Sequence, residues 1–275
     1  MTEALTVSAA VITGGASGIG LAVSEELGRR GAAVMLADRD GDALAEAGAR
    51  LNDAGIKALG QVCDVADLAS VEALAEAAFA AFGQVDLVFN NAGVGGPRGK
   101  LWEVDPEVAR AHFDINFWGV WHGCRAFAPR LAAQQSPSAI YNTGSENSLF
   151  CAVPHTAAYI AAKHAVLGLT ESLREDLPGH VHAGLVIPGW VHTAIGPDAV
   201  MRNGMAASRF AEIIVPQILA CERFVVAHAY NVVRIHERID ALYAAFAEHA
   251  PRYDGDDEYD VRSVIAKLRQ ERQGQ

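Results

Sequence analysis

The sequence is poor in cysteine, in basic residues and in long apolar runs, and each shortage removes a class of function. Cys63, Cys124, Cys151 and Cys221 lie far apart with no CxxC pair. Neither a metal site nor a disulfide framework is therefore expected, and a reducing compartment, the cytoplasm, fits best. Lys and Arg number 22 against 33 Asp and Glu, for a net charge of −11. Binding a phosphate backbone needs clustered cations that release counterions, so nucleic acid is not an expected partner. No apolar run reaches the roughly 18 residues that cross a bilayer. Residues 1–10 also lack a basic stretch followed by an apolar one, so neither a membrane partner nor a targeting segment is expected.

What the chain does have is apolar mass. Hydrophobic residues make up 51% of it, with a mean hydropathy of +0.14, enough burial to offset chain entropy and to exclude an extended disordered protein. A length of 275 residues fits one α/β domain. Short runs rich in Val, Ile and Leu at 9–13, 33–38, 58–63, 85–90, 139–143, 182–187 and 224–228 read as strands. Ala-rich amphipathic segments at 18–30, 41–54, 68–82, 106–134, 156–176 and 207–221 alternate with them, with Gly31, Gly55 and Gly83 at expected helix ends. This is the pattern of βαβ units around a parallel sheet. Two more helical segments, 230–249 and 260–272, flank the acidic stretch Asp254-Gly255-Asp256-Asp257-Glu258, which is too short to link domains. The expected fold is a single-domain, Rossmann-like, doubly wound parallel sheet of about seven strands spanning 1–275. Helices cover both faces, and a helical C-terminal extension occupies 230–275.

The first strand runs into Thr13-Gly14-Gly15-Ala16-Ser17-Gly18-Ile19-Gly20. Glycines let a backbone approach a pyrophosphate, and the helix that follows offers unpaired N–H groups at its positive end. Gly14, Ser17, Gly18, Ile19 and Gly20 are thus candidate dinucleotide contacts, although a Gly-rich turn can also be mere tight packing. Asp38 ends the second strand about 20 residues further on, where a carboxylate accepts from the adenosine ribose hydroxyls and repels a 2′-phosphate. NAD is favoured over NADP on that ground, while the adjacent Arg39 could instead neutralise a phosphate. Tyr159-Ile160-Ala161-Ala162-Lys163 places a phenol and an ammonium on one helix face, where the cation can lower the tyrosine pKa.

The glycine cradle, Asn90-Asn91-Ala92-Gly93 after strand four, a serine before Tyr159, the YxxxK spacing and Pro188-Gly189 after strand six occur in one order. In these five motifs, spread over residues 9–193, the chain resembles the short-chain dehydrogenase/reductase family. The resemblance implies that Tyr159 exchanges a proton with the substrate oxygen while C4 of nicotinamide exchanges a hydride. It further implies that Lys163 lowers the tyrosine pKa and holds the nicotinamide ribose, and that Asn116 holds a relay water. Ser145 matches the family serine that hydrogen-bonds the substrate oxygen, with one residue more than usual before Tyr159, which leaves Ser148 as the alternative. Asp64, Val65, Asn91, Ala92 and Gly93 match the adenosine side of the cleft. Pro188, Gly189, Val191 and Thr193 match the stretch facing the carboxamide.

Glu146, Phe150, His155 and Trp190 lie beside the expected reaction centre, and the two aromatics suit an aryl or otherwise bulky substrate. Residues 194–222 carry Gly196-Pro197, Gly204 and two methionines, a composition suited to a lid. The resemblance implies a small-molecule alcohol or ketone substrate and a homodimer or homotetramer. A nucleotide-binding regulator of the same fold without turnover, and a cofactor-retaining dehydratase or epimerase, remain as alternatives.

Overall fold

The run Ala9–Thr13 is buried along its whole length, as a strand covered on both faces must be. In the computed structural model, which describes residues 4–273, it is β1. In chain order follow α1 (Gly18–Arg29), β2 (Ala33–Asp38), α2 (Gly41–Asp53), β3 (Ala58–Val62), α3 (Leu68–Phe82), β4 (Leu87–Asn90), α4 (Pro106–Phe113), α5 (Gly119–Gln134), β5 (Ser138–Thr143), α6 (Ala157–Asp176) and β6 (Val181–Ile187). Then come β7 (Val191–His192), α7 (Asp198–Met201), β8 (Met205–Ala206), α8 (Ala207–Leu219), β9 (Phe224–Val226), α9 (Asn231–His249) and α10 (Val261–Gln273). Seven strands form one parallel sheet in the order β3-β2-β1-β4-β5-β6-β9, and β7 pairs with β8 separately.

Two apolar clusters cover the sheet. One gathers Val23 and Leu27 of α1, Leu44 and Leu51 of α2, and Phe210, Ile214 and Ile218 of α8. The other gathers Val71 and Leu74 of α3, Phe127 and Leu131 of α5, and Val166 of α6. The seven-stranded doubly wound sheet expected from the sequence is the one observed. Strand order reverses between β1 and β4, so the loops leaving these two strands open a crevice at their carboxyl ends, where ligands of such sheets bind.

Two boundaries differ from the sequence reading in ways that matter. The fourth strand starts at Leu87, and Asp86 just before it ties down the start of β1: its Oδ2 accepts from the N–H groups of Ser8 (2.7 Å) and Ala9 (3.0 Å). The single helix expected at 106–134 is interrupted by a π-helical turn, Asp114–Trp118. The wider turn inserts a residue into the helical register and re-aims the side chain it carries, here the fully buried Asn116.

The chain divides into two compact units, one running to Asn231 and one from Val232 onward. The second consists of most of α9, a short 3-10 turn (Asp256–Tyr259) and α10. Within 194–222, residues of α8 belong to the core, and the exposed part is concentrated at 194–200. No helix among the described residues is long and apolar enough to cross a membrane.

Candidate active site

The glycine loop is shaped by close approaches that only glycine allows. Gly14 and Gly18 have positive φ (64° and 54°), and a Cβ on Gly20 would lie 2.2 Å from the Gly14 carbonyl oxygen. Such a backbone leaves room and N–H donors for a pyrophosphate, so the residues present fit a dinucleotide. Ser17 caps α1 in extended conformation with no side-chain cap bond, and Ile19 lies in the first turn. Thr13 ties this loop to the next wall. Its hydroxyl accepts from the N–H groups of Asn91 (2.9 Å) and Ala92 (3.1 Å), and its carbonyl accepts from Asn91 Nδ2 (3.0 Å). Asp38, half-buried at the end of β2, turns Oδ2 to the Ala16 N–H at 3.3 Å. Arg39 and Asp64 are exposed, and Asp64 Oδ1 accepts from Ala66 N at 2.9 Å. Val65 is buried below Gly119.

Across the crevice, the loop after β6 closes the opposite side. Thr193 packs on Gly18, whose hypothetical Cβ would stand 3.1 Å from Thr193 Cγ2. The Gly189 N–H donates to His228 Nδ1 (3.2 Å), so the ring proton resides on Nε2, 3.3 Å from the Trp190 carbonyl. His228 thereby braces the stretch from Pro188 to Val191. Ser17, Gly18, His192 and Thr193 share one open groove of about 590 Å3.

The candidate catalytic residues converge on α6. Lys163, 3% exposed, donates from Nζ to the Thr143 carbonyl at 2.8 Å and lies 5.8 Å from the Tyr159 ring centre. The Asn116 amide donates to the carbonyls of Val94 (3.1 Å) and His112 (3.2 Å) and accepts from Val94 N (3.3 Å). Gly93 fills the space between them: a Cβ there would meet Asn116 Oδ1 at 2.9 Å and Lys163 Nζ at 3.8 Å. The two serines separate by what they touch. Ser148 Oγ donates to the Lys163 carbonyl at 2.7 Å and accepts from Ser145 N at 3.1 Å, a structural cap. The Ser145 hydroxyl is the one beside Tyr159, where it favours the phenolate.

The sequence reading has Lys163 depressing the tyrosine pKa; the surroundings act otherwise. Burial raises the Tyr159 pKa above its ordinary value, Ser145 opposes the rise, and the charge of Glu146 adds to it. Burial likewise brings the Lys163 ammonium down to about 8. Of the pocket residues, Glu146 is buried and Phe150 half-buried, and the half-buried Trp190 packs against Gly204. His155 instead sits exposed at the turn before α6, with φ 65° and its carbonyl accepting from Gly99 N at 3.0 Å.

Residues 8–202 match the family model described as short chain dehydrogenase. The chain belongs to the short-chain dehydrogenase/reductase family. Over 209 residues, 75% of this chain and 74% of the other, it is 44% identical to 1-deoxy-11-beta-hydroxypentalenate dehydrogenase of Streptomyces exfoliatus. It is 37% identical over 214 residues to cis-4-hydroxycyclohexanecarboxylate dehydrogenase of Sinomonas cyclohexanicum, covering 75% of this chain and 83% of that one. Among solved structures, a short chain dehydrogenase/reductase from Burkholderia phymatum in complex with NAD aligns with TM-score 0.82 and 32% identity. The alignment covers 92% of this chain and all of that one.

Two side chains of this short-chain dehydrogenase/reductase escaped the sequence reading. His112 is buried one helical turn before Asn116, its Nδ1 3.2 Å from Asn116 Nδ2 and its ring centre 5.9 Å from that of Tyr159. Its Nε2 has no partner among the described residues, and burial, helped by the Lys163 charge, brings its pKa down to about 4. The i, i+4 spacing to Asn116 was the available signal. Tyr230 comes from beyond β9 and donates to Glu146 Oε2 at 2.9 Å; no local signal links residues 84 positions apart.

Proposed function

We propose that this enzyme exchanges a hydride between NAD and a secondary alcohol or its ketone, with Tyr159 as the proton-transfer residue. The observation that carries the reading is the gathering of Ser145, Tyr159, Lys163 and Asn116 at the mouth of the glycine-lined crevice. Bound nicotinamide dinucleotide supplies the hydride acceptor or donor. The chain does the rest. In oxidation Tyr159 Oη takes the carbinol proton, Ser145 Oγ hydrogen-bonds the substrate oxygen and shares its developing charge, and Lys163 keeps a cation behind the phenol. Asn116 is the group fitted to hold a relay water.

NAD rather than NADP is supported by the Asp38 carboxylate standing over the glycine loop at Ala16 N. The relatives named above are dehydrogenases of a hydroxypentalenate and of a hydroxycyclohexanecarboxylate, which supports a bulky alicyclic or aryl alcohol beside Phe150 and Trp190. Trp118 and Trp121, each 43% exposed and in contact with one another, support a second copy packing on the π turn and α5, hence a homodimer or homotetramer. Four free cysteines support a reducing cytoplasmic setting.

The test is the nicotinamide absorbance change with NAD or NADP across aliphatic, alicyclic and aryl secondary alcohols, beside Tyr159→Phe. NAD-dependent turnover that falls by about 100-fold or more in the variant is expected. Cofactor binding without turnover on any alcohol or ketone would overturn the reading.

A further inference from the structure

Glu146 is a carboxylate placed where the proton-transfer mechanism has no use for one. It directly follows Ser145, is 5% exposed, and its charge reaches Tyr159 strongly enough to oppose ionisation of the phenol. Its backbone is fixed on both sides: its N–H donates to the Pro188 carbonyl at 2.8 Å, and its carbonyl accepts from the N–H groups of Leu149 (3.0 Å) and Phe150 (3.3 Å). Among the described residues no lysine, arginine or histidine pairs with it. Its hydrogen-bond partner is Tyr230, whose hydroxyl donates to Oε2 at 2.9 Å, while Oε1 receives no donor. Both residues belong to the unit that ends at Asn231. Oε2 is thus engaged, while Oε1 is left without a donor from the described residues and is not among their sealed polar atoms. A fixed carboxylate beside the reacting serine, with one oxygen still free to accept, is a candidate for substrate recognition.

We propose that Glu146, steered by Tyr230, recognises a hydrogen-bond donor on the carbon next to the reacting carbinol, a hydroxyl or an ammonium, and rejects a carboxylate at that position. The inference rests on the oxidoreductase reading above and names its substrate class. Ser145 and Tyr159 hold the carbinol oxygen, so the neighbouring side chain meets whatever the adjacent carbon carries. An acceptor-only anion discriminates there by hydrogen bonding and by charge. A hydroxyl or ammonium satisfies Oε1, a methylene leaves it unpaired, and a carboxylate is repelled.

The experiment compares kcat/KM with NAD for cyclohexanol, its vicinal diol, its vicinal amino alcohol and its vicinal hydroxycarboxylate. Wild type, Glu146→Gln and Tyr230→Phe are assayed in parallel. Wild type is expected to favour the diol and amino alcohol over cyclohexanol by about tenfold or more and to disfavour the hydroxycarboxylate by a similar factor. Glu146→Gln keeps the size and an acceptor but loses the charge. It should cut the ratio of amino alcohol to hydroxycarboxylate by about tenfold or more while retaining part of the diol preference. Tyr230→Phe keeps the charge but removes the bond that orients it, so the same ratio should fall by a smaller factor than in Glu146→Gln. A role confined to anchoring Tyr230 predicts lower melting temperatures in both variants with all ratios unchanged, and that outcome overturns the proposal. So do wild-type rates within twofold of one another on all four compounds, a result that needs no variant to fold. Absence of turnover on every alcohol, by contrast, removes the oxidoreductase reading itself and this inference with it.

Discussion

Replacing Lys163 by methionine is expected to leave stability at neutral pH equal to or slightly above that of wild type while abolishing turnover. The ammonium is 3% exposed, and burial lowers its pKa from 10.5 to about 8. At about 1.4 kcal/mol for each pH unit of displacement, holding the charge costs the folded state roughly 3 kcal/mol at neutral pH. The bond from Nζ to the Thr143 carbonyl, 2.8 Å long, offsets about 1.5–3 kcal/mol of such a cost. Methionine keeps the length and apolar stem and removes both terms. The variant should therefore equal wild type or exceed it by about 1 kcal/mol at pH 7, a rise in Tm of about 2–4 °C. The sign of the pH dependence follows from the depressed pKa. Between pH 8 and 10.5 the unfolded chain binds the proton that the folded chain has released, so wild type gains stability as pH rises through that window. Methionine has nothing to titrate, and its advantage should shrink and then reverse. Denaturant titrations of both proteins at pH 7 and across that window provide the assay. A variant more than about 1 kcal/mol less stable at pH 7, or a difference that does not move with pH, would refute the burial argument.

Gly20→Ala places a Cβ 2.2 Å from the Gly14 carbonyl oxygen, so the cradle must open and the dinucleotide Kd should rise by about tenfold or more; an unchanged Kd in calorimetry would show that the loop does not hold the pyrophosphate. Asp38→Asn should narrow the NAD over NADP preference in kcat/KM by about tenfold, and a ratio that stays put assigns the choice elsewhere. His112 stays neutral down to about pH 4, so wild-type activity should show no step at the ordinary histidine pKa; a step there that vanishes in His112→Phe contradicts its neutral burial. Because the Glu146 charge raises the Tyr159 pKa, Glu146→Gln should move the pH at which alcohol oxidation rises to a lower value; a profile that stays or moves upward contradicts the coupling.

The sheet was legible because its inner strands are apolar runs covered on both faces, and such runs leave little ambiguity when separated by amphipathic helices. The tight turn of the glycine loop and the shared helix face of Tyr159 and Lys163 were legible because both depend on local spacing. The π turn at Asn116 was not. A single extra residue in a long helix hardly disturbs a 3.6-residue pattern, and the gain, a side chain turned toward Val94 and His112, is tertiary. Ser145 and Ser148 differ in role only through what lies across from them, the Tyr159 phenol for one and the Lys163 carbonyl for the other. Tyr230 lay outside any local pattern because its partner sits at the end of another strand.

The surroundings of Tyr159 and Lys163 bear on how the site is activated. Burial pushes the phenol up and the ammonium down. Glu146 holds the phenol further from ionising. Ser145 is the protein group that leans the other way, and one neutral hydrogen bond is a small lever against burial. What shifts the balance must enter the crevice. Positive charge near the phenol favours the phenolate, as an oxidised nicotinamide ring provides, and a donor on the substrate that engages Glu146 disperses the charge opposing it. On the proposed reading, the Glu146 charge therefore couples recognition of the group next to the carbinol to the ionisation of Tyr159.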